Sequence, residues 1–203
     1  MTTIRRAMLT DHRRVLDTLV DAFYADPVHA WIFEDEAVRT SQLPHWFTNL
    51  LHMVPDGGHV DVADDLTSAA IWHPPLPPPE AGDEPPDELP PIAQQLLDAL
   101  GPDAGMDKLV KLAPMMDLHP HEPHWYLAVV GTAASARGKG LGGDLIRHQL
   151  DVCDATAMPA YLESSNPRNV GLYHRHGFEV FETVELDDGG PEVSFMWREP
   201  VSS

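Results

Sequence analysis

The run Arg137-Gly138-Lys139-Gly140-Leu141-Gly142-Gly143 constrains this chain more than any other segment. It follows an apolar stretch, 125–130, that reads as a strand, and it opens a helical pattern that continues to residue 157. A turn between a strand and a helix N-terminus aims successive backbone N–H groups at one point, where the helix dipole adds partial positive charge. Glycines there remove the Cβ atoms that would keep a pyrophosphate at a distance. Arg137 and Lys139 can add side-chain charge. The segment therefore predicts an anion-binding turn inside an α/β fold.

Two nucleotide fingerprints compete for this turn. A Walker loop ends in Lys followed by Ser or Thr, whereas this turn ends Gly142-Gly143-Asp144. Gly138, Gly140 and Gly143 do satisfy the dinucleotide spacing G-x-G-x-x-G, and Glu163 sits near the separation of that motif's acidic residue. That motif normally opens an alternating parallel fold. Here it comes late, after an expected hairpin, and antiparallel strands are expected to follow it.

The rest of the chain supplies that context. Val15, Leu16, Leu19, Val20 and Phe23 recur at helical spacing after the cap candidates Thr10 and Asp11. Asp26-Pro27 breaks that helix, and apolar residues from Trp31 to Leu51 predict a second helical region. Stretches 60–63 and 69–72 read as strands joined by a turn at Asp64-Asp65. Over 73–91, prolines and acids replace apolar residues, which predicts a surface loop with polyproline character. Helical spacing resumes at Ile92, with a break at Gly101-Pro102. A strand (160–163), a short helix (166–176) and two strands (180–185 and 192–197) around Asp187-Asp188-Gly189-Gly190 complete the pattern. The length of 203 residues fits a single domain over 1–203 carrying the proline-rich acidic loop.

These segments resemble the GNAT acetyltransferase superfamily. Its pyrophosphate signature, Q/R-x-x-G-x-G/A, is met by Arg137, Gly140 and Gly142. The resemblance extends through Glu122-Pro123-His124-Trp125-Tyr126-Leu127, Leu162-Glu163-Ser164, Pro167-Arg168-Asn169, Leu172-Tyr173 and His176-Gly177-Phe178. It implies an α/β (α+β) fold with a mixed, strongly twisted central sheet, helices on both faces, and two splayed strands holding the cofactor. It further implies acetyl-CoA as acyl-donor cosubstrate and no metal. The backbone of Val130, Gly131 and Thr132 would pair with pantetheine, and a main-chain N–H near Val129 would polarise the thioester carbonyl. Arg137, Gly138, Lys139, Gly140, Leu141, Gly142 and Gly143 would hold the pyrophosphate, and Asn166 and Asn169 join the cofactor-binding set. Ala133 and Ala134 stand where the family often has Pro.

By the same resemblance Tyr173 is the general acid, its O–H serving the departing thiolate. Asn169 lies four residues earlier, on the same helix face. The base stays open. Glu163 holds the strand position some relatives use, while His119, His121, His124, Glu34 and Asp35 are further candidates. The spacing of the three histidines also invites a zinc reading, but Pro120 and Pro123 stiffen the segment and favour loop histidines. Cys153, the one cysteine, reads as a small core residue.

A net charge of -19 argues against nucleic acid and anionic membranes as partners; it would attract a cationic acceptor, but solubility or adaptation to salt accounts for it more simply. The acceptor implied is a primary amine of a small molecule, attacked directly in a ternary complex. A homodimer is compatible with the resemblance. A silent acetyl-CoA-binding sensor or partner-docking module is the alternative, supported by the proline-rich loop. Arg5 and Arg6 precede no apolar stretch, so a cytoplasmic location is expected. Tyr24, His29, Trp31 and Phe33 are candidates for the acceptor wall or for the core.

Overall fold

The computed structural model of the protein describes residues 2–76, 89–187 and 189–201. The chain opens with strand β1 (Ile4–Arg6), a 3-10 turn (Leu9–Asp11) and helix α1 (His12–Phe23). Asp11 does stand just before α1, but its carboxylate turns back to accept from the Met8 N–H at 2.8 Å and from Arg5 at 2.6 Å. The helical region expected around Trp31 to Leu51 divides into α2 (Pro27–Ile32) and α3 (Glu36–His52). Two carboxylates cause the division. Asp26 caps α2 and Asp35 caps α3, each accepting from first-turn N–H groups.

The hairpin follows as β2 (His59–Ala63) and β3 (Ser68–His73). Next come α4 (Pro91–Leu100) and α5 (Pro102–Asp117), separated by Gly101 at φ +83°. Of the proline-rich stretch, His73 closes β3 and Pro91 opens α4, while 77–88 lie outside the described residues. The second half holds β4 (Trp125–Thr132), α6 (Leu141–Ala155), β5 (Ala160–Ser164), α7 (Pro167–Arg175), β6 (Glu179–Glu185) and β7 (Glu192–Arg198). No helix among the described residues is long and apolar enough to cross a membrane.

The sheet order is β1-β2-β3-β4-β5-β7-β6. Every neighbouring pair is antiparallel except β4 and β5. Helices cover both faces, as the resemblance implies. On one face, Val15, Leu19, Leu43 and Phe47 from α1 and α3 pack on Val62, Ala69, Ile71 and Val129. On the other, Leu145, Ile146, Leu150 and Cys153 of α6, with Tyr173 of α7, pack on Ala70, Trp72, Leu127, Leu162 and Met196. A third cluster joins Val28 and Ile32 of α2 and Leu96 of α4 to Tyr161, Val193 and Phe195.

One irregularity shapes the centre. Ile71 pairs with Val129, but Trp72 pairs with Leu127, so Ala128 is an extra residue in β4. Leu127 and Val129 are two apart, yet they bury on opposite faces of the sheet. A β-bulge has this effect, because one inserted residue reverses the alternation and re-aims the strand.

Candidate functional site

Beyond the bulge, β4 parts from β5. Their parallel ladder holds only Trp125 with Ala160 and Tyr126 with Tyr161. On its far side β4 remains paired with β3 from Tyr126 to Thr132, and β5 with β7 over its whole length. Among the described residues, the edge of β4 that faces β5 therefore lacks a strand partner at Val130, Gly131 and Thr132. An added chain can complete such an edge. Gly131 is demanded by packing as well: a Cβ there would lie 2.9 Å from Ala22 Cβ and 3.0 Å from a Phe23 ring carbon, so α1 could not sit this close.

The open edge leads to the glycine turn. Residues 137–140 are exposed. Gly138 and Gly140 have φ of +76° and +83°, and a Cβ on either would meet nothing within 4 Å, so backbone conformation selects glycine at both. Gly140 occupies the cap of α6 without a side chain to satisfy the first-turn amides of Leu141, Gly142 and Gly143. The Arg137 guanidinium is not aimed at that point. Its Nη2 donates to the Ala22 carbonyl at 2.9 Å and its Nε to the Thr132 carbonyl at 3.3 Å, which ties the turn to the end of α1. Asp21 completes the clamp by accepting from the Ala134 N–H at 2.6 Å. An open groove lined by Leu16, Val20, Asp21, Tyr24 and Arg137 runs from here along α1.

Helix α7 begins where β5 ends. The Asn166 side chain accepts from the Arg168 N–H at 3.1 Å, and Pro167 supplies the first helical residue. Asn169 is exposed one turn before Tyr173, which is buried against Phe178. Burial, with the Asp26 carboxylate nearby, raises the Tyr173 hydroxyl above the ordinary tyrosine value and keeps it protonated. Asp26 links this end of β5 to the α1–α2 connection. Its Oδ2 accepts from the Ser165 hydroxyl at 2.5 Å, and its Oδ1 pairs with His29 Nδ1 at 2.9 Å. The sequence marks Asp26 only as a helix break. Nothing local signals a bond to a residue 139 positions away.

Glu163 is the centre of a second cluster. Its side chain is 7% exposed and lies 3.6 Å from His119 Nδ1. Its Oε1 accepts from the Tyr161 hydroxyl at 2.8 Å. Tyr126 faces the same carboxylate. Burial, then the charge of Glu163 and a hydrogen bond to it, push both phenols well above their usual range. His119 meets Tyr161 and Tyr126 edge-on, and His124 meets Tyr161, with ring centroids 4.8, 5.0 and 5.3 Å apart. His124 also pairs with the Glu122 carbonyl through Nδ1 at 2.6 Å, and burial lowers its proton affinity. Of the candidate bases, Glu163, His119 and His124 thus come together, whereas His121 is exposed. Glu34 pairs with Lys108 at the surface, and Asp35 is occupied as a cap. Among the described residues no group of His, Cys, Asp and Glu is placed to hold a metal ion. Burial pushes the Cys153 thiol up to about 12, which leaves it inert.

The candidate acceptor wall divides too. Phe33 and His29 are core residues, and the Tyr24 hydroxyl bonds Glu36 and Thr40. Trp31 carries the Lys108 ammonium 3.9 Å above its ring.

The sequence pattern of the acetyltransferase (GNAT) family matches residues 107–178, which span β4, the glycine turn, β5 and α7. An uncharacterized N-acetyltransferase of Schizosaccharomyces pombe is 26% identical over 213 residues, covering 97% of this chain and 83% of the relative. A crystal structure from Corynebacterium glutamicum, described as histone acetyltransferase HPA2 and related acetyltransferase, superposes with a TM-score of 0.74 at 27% identity, over 100% of this chain and 99% of that one. Arylalkylamine N-acetyltransferase 2 of Aedes aegypti shares the fold at a TM-score of 0.61 and 13% identity, with 97% and 98% covered. Residues 107–178 thus carry the pattern of the GNAT acetyltransferases, whose chemistry is acetyl transfer, and over its whole length the chain is similar to such acetyltransferases in sequence and fold.

Proposed function

We propose that the protein moves an acetyl group from acetyl-CoA to the primary amine of a small molecule, by direct attack in a ternary complex. The observation that carries this reading is the parting of β4 from β5, which leaves an unpaired strand edge leading to uncapped helix amides. The residues present fit the donor. Val130, Gly131 and Thr132 offer backbone groups to an extended pantetheine arm. The amides of 138–143 offer donors to a pyrophosphate, with Lys139 exposed beside them. Arg137, whose guanidinium ties the turn to the end of α1, stands beside them, and Asn166 and Asn169 flank the cofactor at the start of α7.

Two protons must leave the acceptor nitrogen and one must reach the departing sulfur. Glu163 takes one from the acceptor's ammonium, so that the amine can attack the thioester carbon. A main-chain N–H at the bulge near Val129 stabilises the oxyanion. As the tetrahedral adduct collapses, the C–S bond breaks, Tyr173 gives its phenolic proton to the departing sulfur, and the second proton leaves the adduct nitrogen to restore the phenol, which yields a neutral amide and a free thiol. The -19 charge favours cationic acceptors by attraction.

The test is thiol release from acetyl-CoA with tryptamine, spermidine and puromycin. Release with any of them supports the transferase. Silence, with acetyl-CoA still binding by calorimetry, supports a sensor instead. Tyr173→Phe should slow turnover about 10²-fold at unchanged acetyl-CoA affinity. Equal turnover in variant and wild type removes Tyr173 from the mechanism.

A further inference from the structure

Glu163, as a buried base, must be reset after each turnover. Its side chain is 7% exposed, against 34% for His119. The groups around the carboxylate differ in what they can do with a proton. Tyr161 and Tyr126 already hold theirs and are donors at neutral pH. His124 and His73 feel His119 electrostatically, and burial lowers the proton affinity of both. His119, on the α5–β4 connection, lies 3.6 Å from Glu163 Oε1 through Nδ1 and is backed by Tyr161, Tyr126 and His124. That gap exceeds a hydrogen bond. Catalytic contacts commonly start long in the free enzyme and tighten in the complex.

We propose that His119 carries the acceptor's proton from Glu163 to solvent, as the relay between a buried base and water. The inference rests on the reading of Glu163 as the base. The acceptor's ammonium gives a proton to the carboxylate, leaving a neutral amine and a carboxylic acid. The acid passes that proton to His119 Nδ1, which restores the carboxylate and forms an imidazolium. The imidazolium, on the exposed side of the cluster, releases a proton to water. No electrons are exchanged and no further reactant is required.

The experiment uses the full chain, acetyl-CoA and whichever of tryptamine, spermidine and puromycin turns over fastest. His119→Gln and His119→Ala should each lower turnover about 10²-fold while acetyl-CoA affinity stays within twofold. Added imidazole should restore the turnover of His119→Ala in proportion to its concentration. A purely structural histidine would not be rescued in this way. Wild-type turnover in both His119 variants, or a loss that imidazole leaves unchanged, overturns the relay. Glu163→Gln separates the two claims. If it is slow while the His119 variants are fast, the base stands and the relay falls. If Glu163→Gln is as fast as wild type, or if the wild type is silent with all three amines, both fall.

Discussion

Asp26 is a buried carboxylate with both oxygens engaged. It accepts from the Val28 and His29 amides at 3.0 and 3.3 Å, from the Ser165 hydroxyl at 2.5 Å, and pairs with His29 Nδ1 at 2.9 Å. Burial alone would raise its proton affinity, but the hydrogen bond and charge of His29, with Ser165, hold it below the ordinary 3.8. A depressed carboxyl contributes stability above its unfolded value, and that contribution fades as pH falls through the folded one. Asp26→Ala should cost about 2–4 kcal/mol in urea unfolding at pH 7, from a lost cap and unpaired buried donors. Asp26→Asn keeps a cap acceptor and should cost less. The difference between Asp26→Ala and wild type should narrow below pH 3.8. A constant difference down to pH 2 would show that the ionised form contributes nothing.

At the scale of elements, the turn between β4 and α6 works through backbone geometry. Gly140 has φ +83° and open space around its missing Cβ, so a larger residue there meets strain rather than a clash. Gly140→Val should destabilise the protein by about 1–2 kcal/mol, the cost of placing a branched side chain in the left-handed region. It should also weaken acetyl-CoA binding measured by calorimetry, because the new side chain stands over the α6 amides. Unchanged affinity would place the pyrophosphate elsewhere. The bulge at Ala128 belongs to this scale as well. It reverses the alternation of β4 where the strand begins to leave β5.

At the scale of the whole molecule, acidic groups of opposite behaviour are distributed over the sheet and the helices that cover it. Asp61 on β2 is fully buried beside α6. Its Oδ1 pairs with Arg6 at 2.9 Å, while Oδ2 has no hydrogen-bond partner among the described residues and lies 3.5 Å from His59 Nε2. Burial raises its proton affinity, and the nearby charges of Arg6 and His148 only partly offset this. A raised carboxyl has the opposite linkage to Asp26. Its contribution is fully present below 3.8 and is lost as pH rises through the folded value. Asp61→Asn should therefore unfold at a higher temperature than wild type at pH 7, and the gap should close by pH 4. A destabilised variant at pH 7 would mean that the Arg6 pair outweighs burial. Wild-type stability thus combines Asp26 and Asp154, the latter held below the usual carboxylate range by its two hydrogen bonds from Arg198, both of which carboxylates favour neutral pH, with Asp61, which opposes them.

What the sequence determined by itself was local. The glycine turn, the Asn166-Pro167 start of α7, the hairpin 59–73 and the amphipathic α1 are written in residues a few positions apart, where propensity and alternation act directly. Those features also carried the family, and with it the mixed sheet and the parted strands. The tertiary structure decided what depends on distant groups meeting. It turned Arg137 onto the end of α1, joined Asp26 to Ser165, closed His119 on Glu163 and split one expected helical region at two aspartate caps. No local pattern encodes such contacts. Each forms only after the chain between its partners has been ordered, so its energy depends on the packing of the entire sheet.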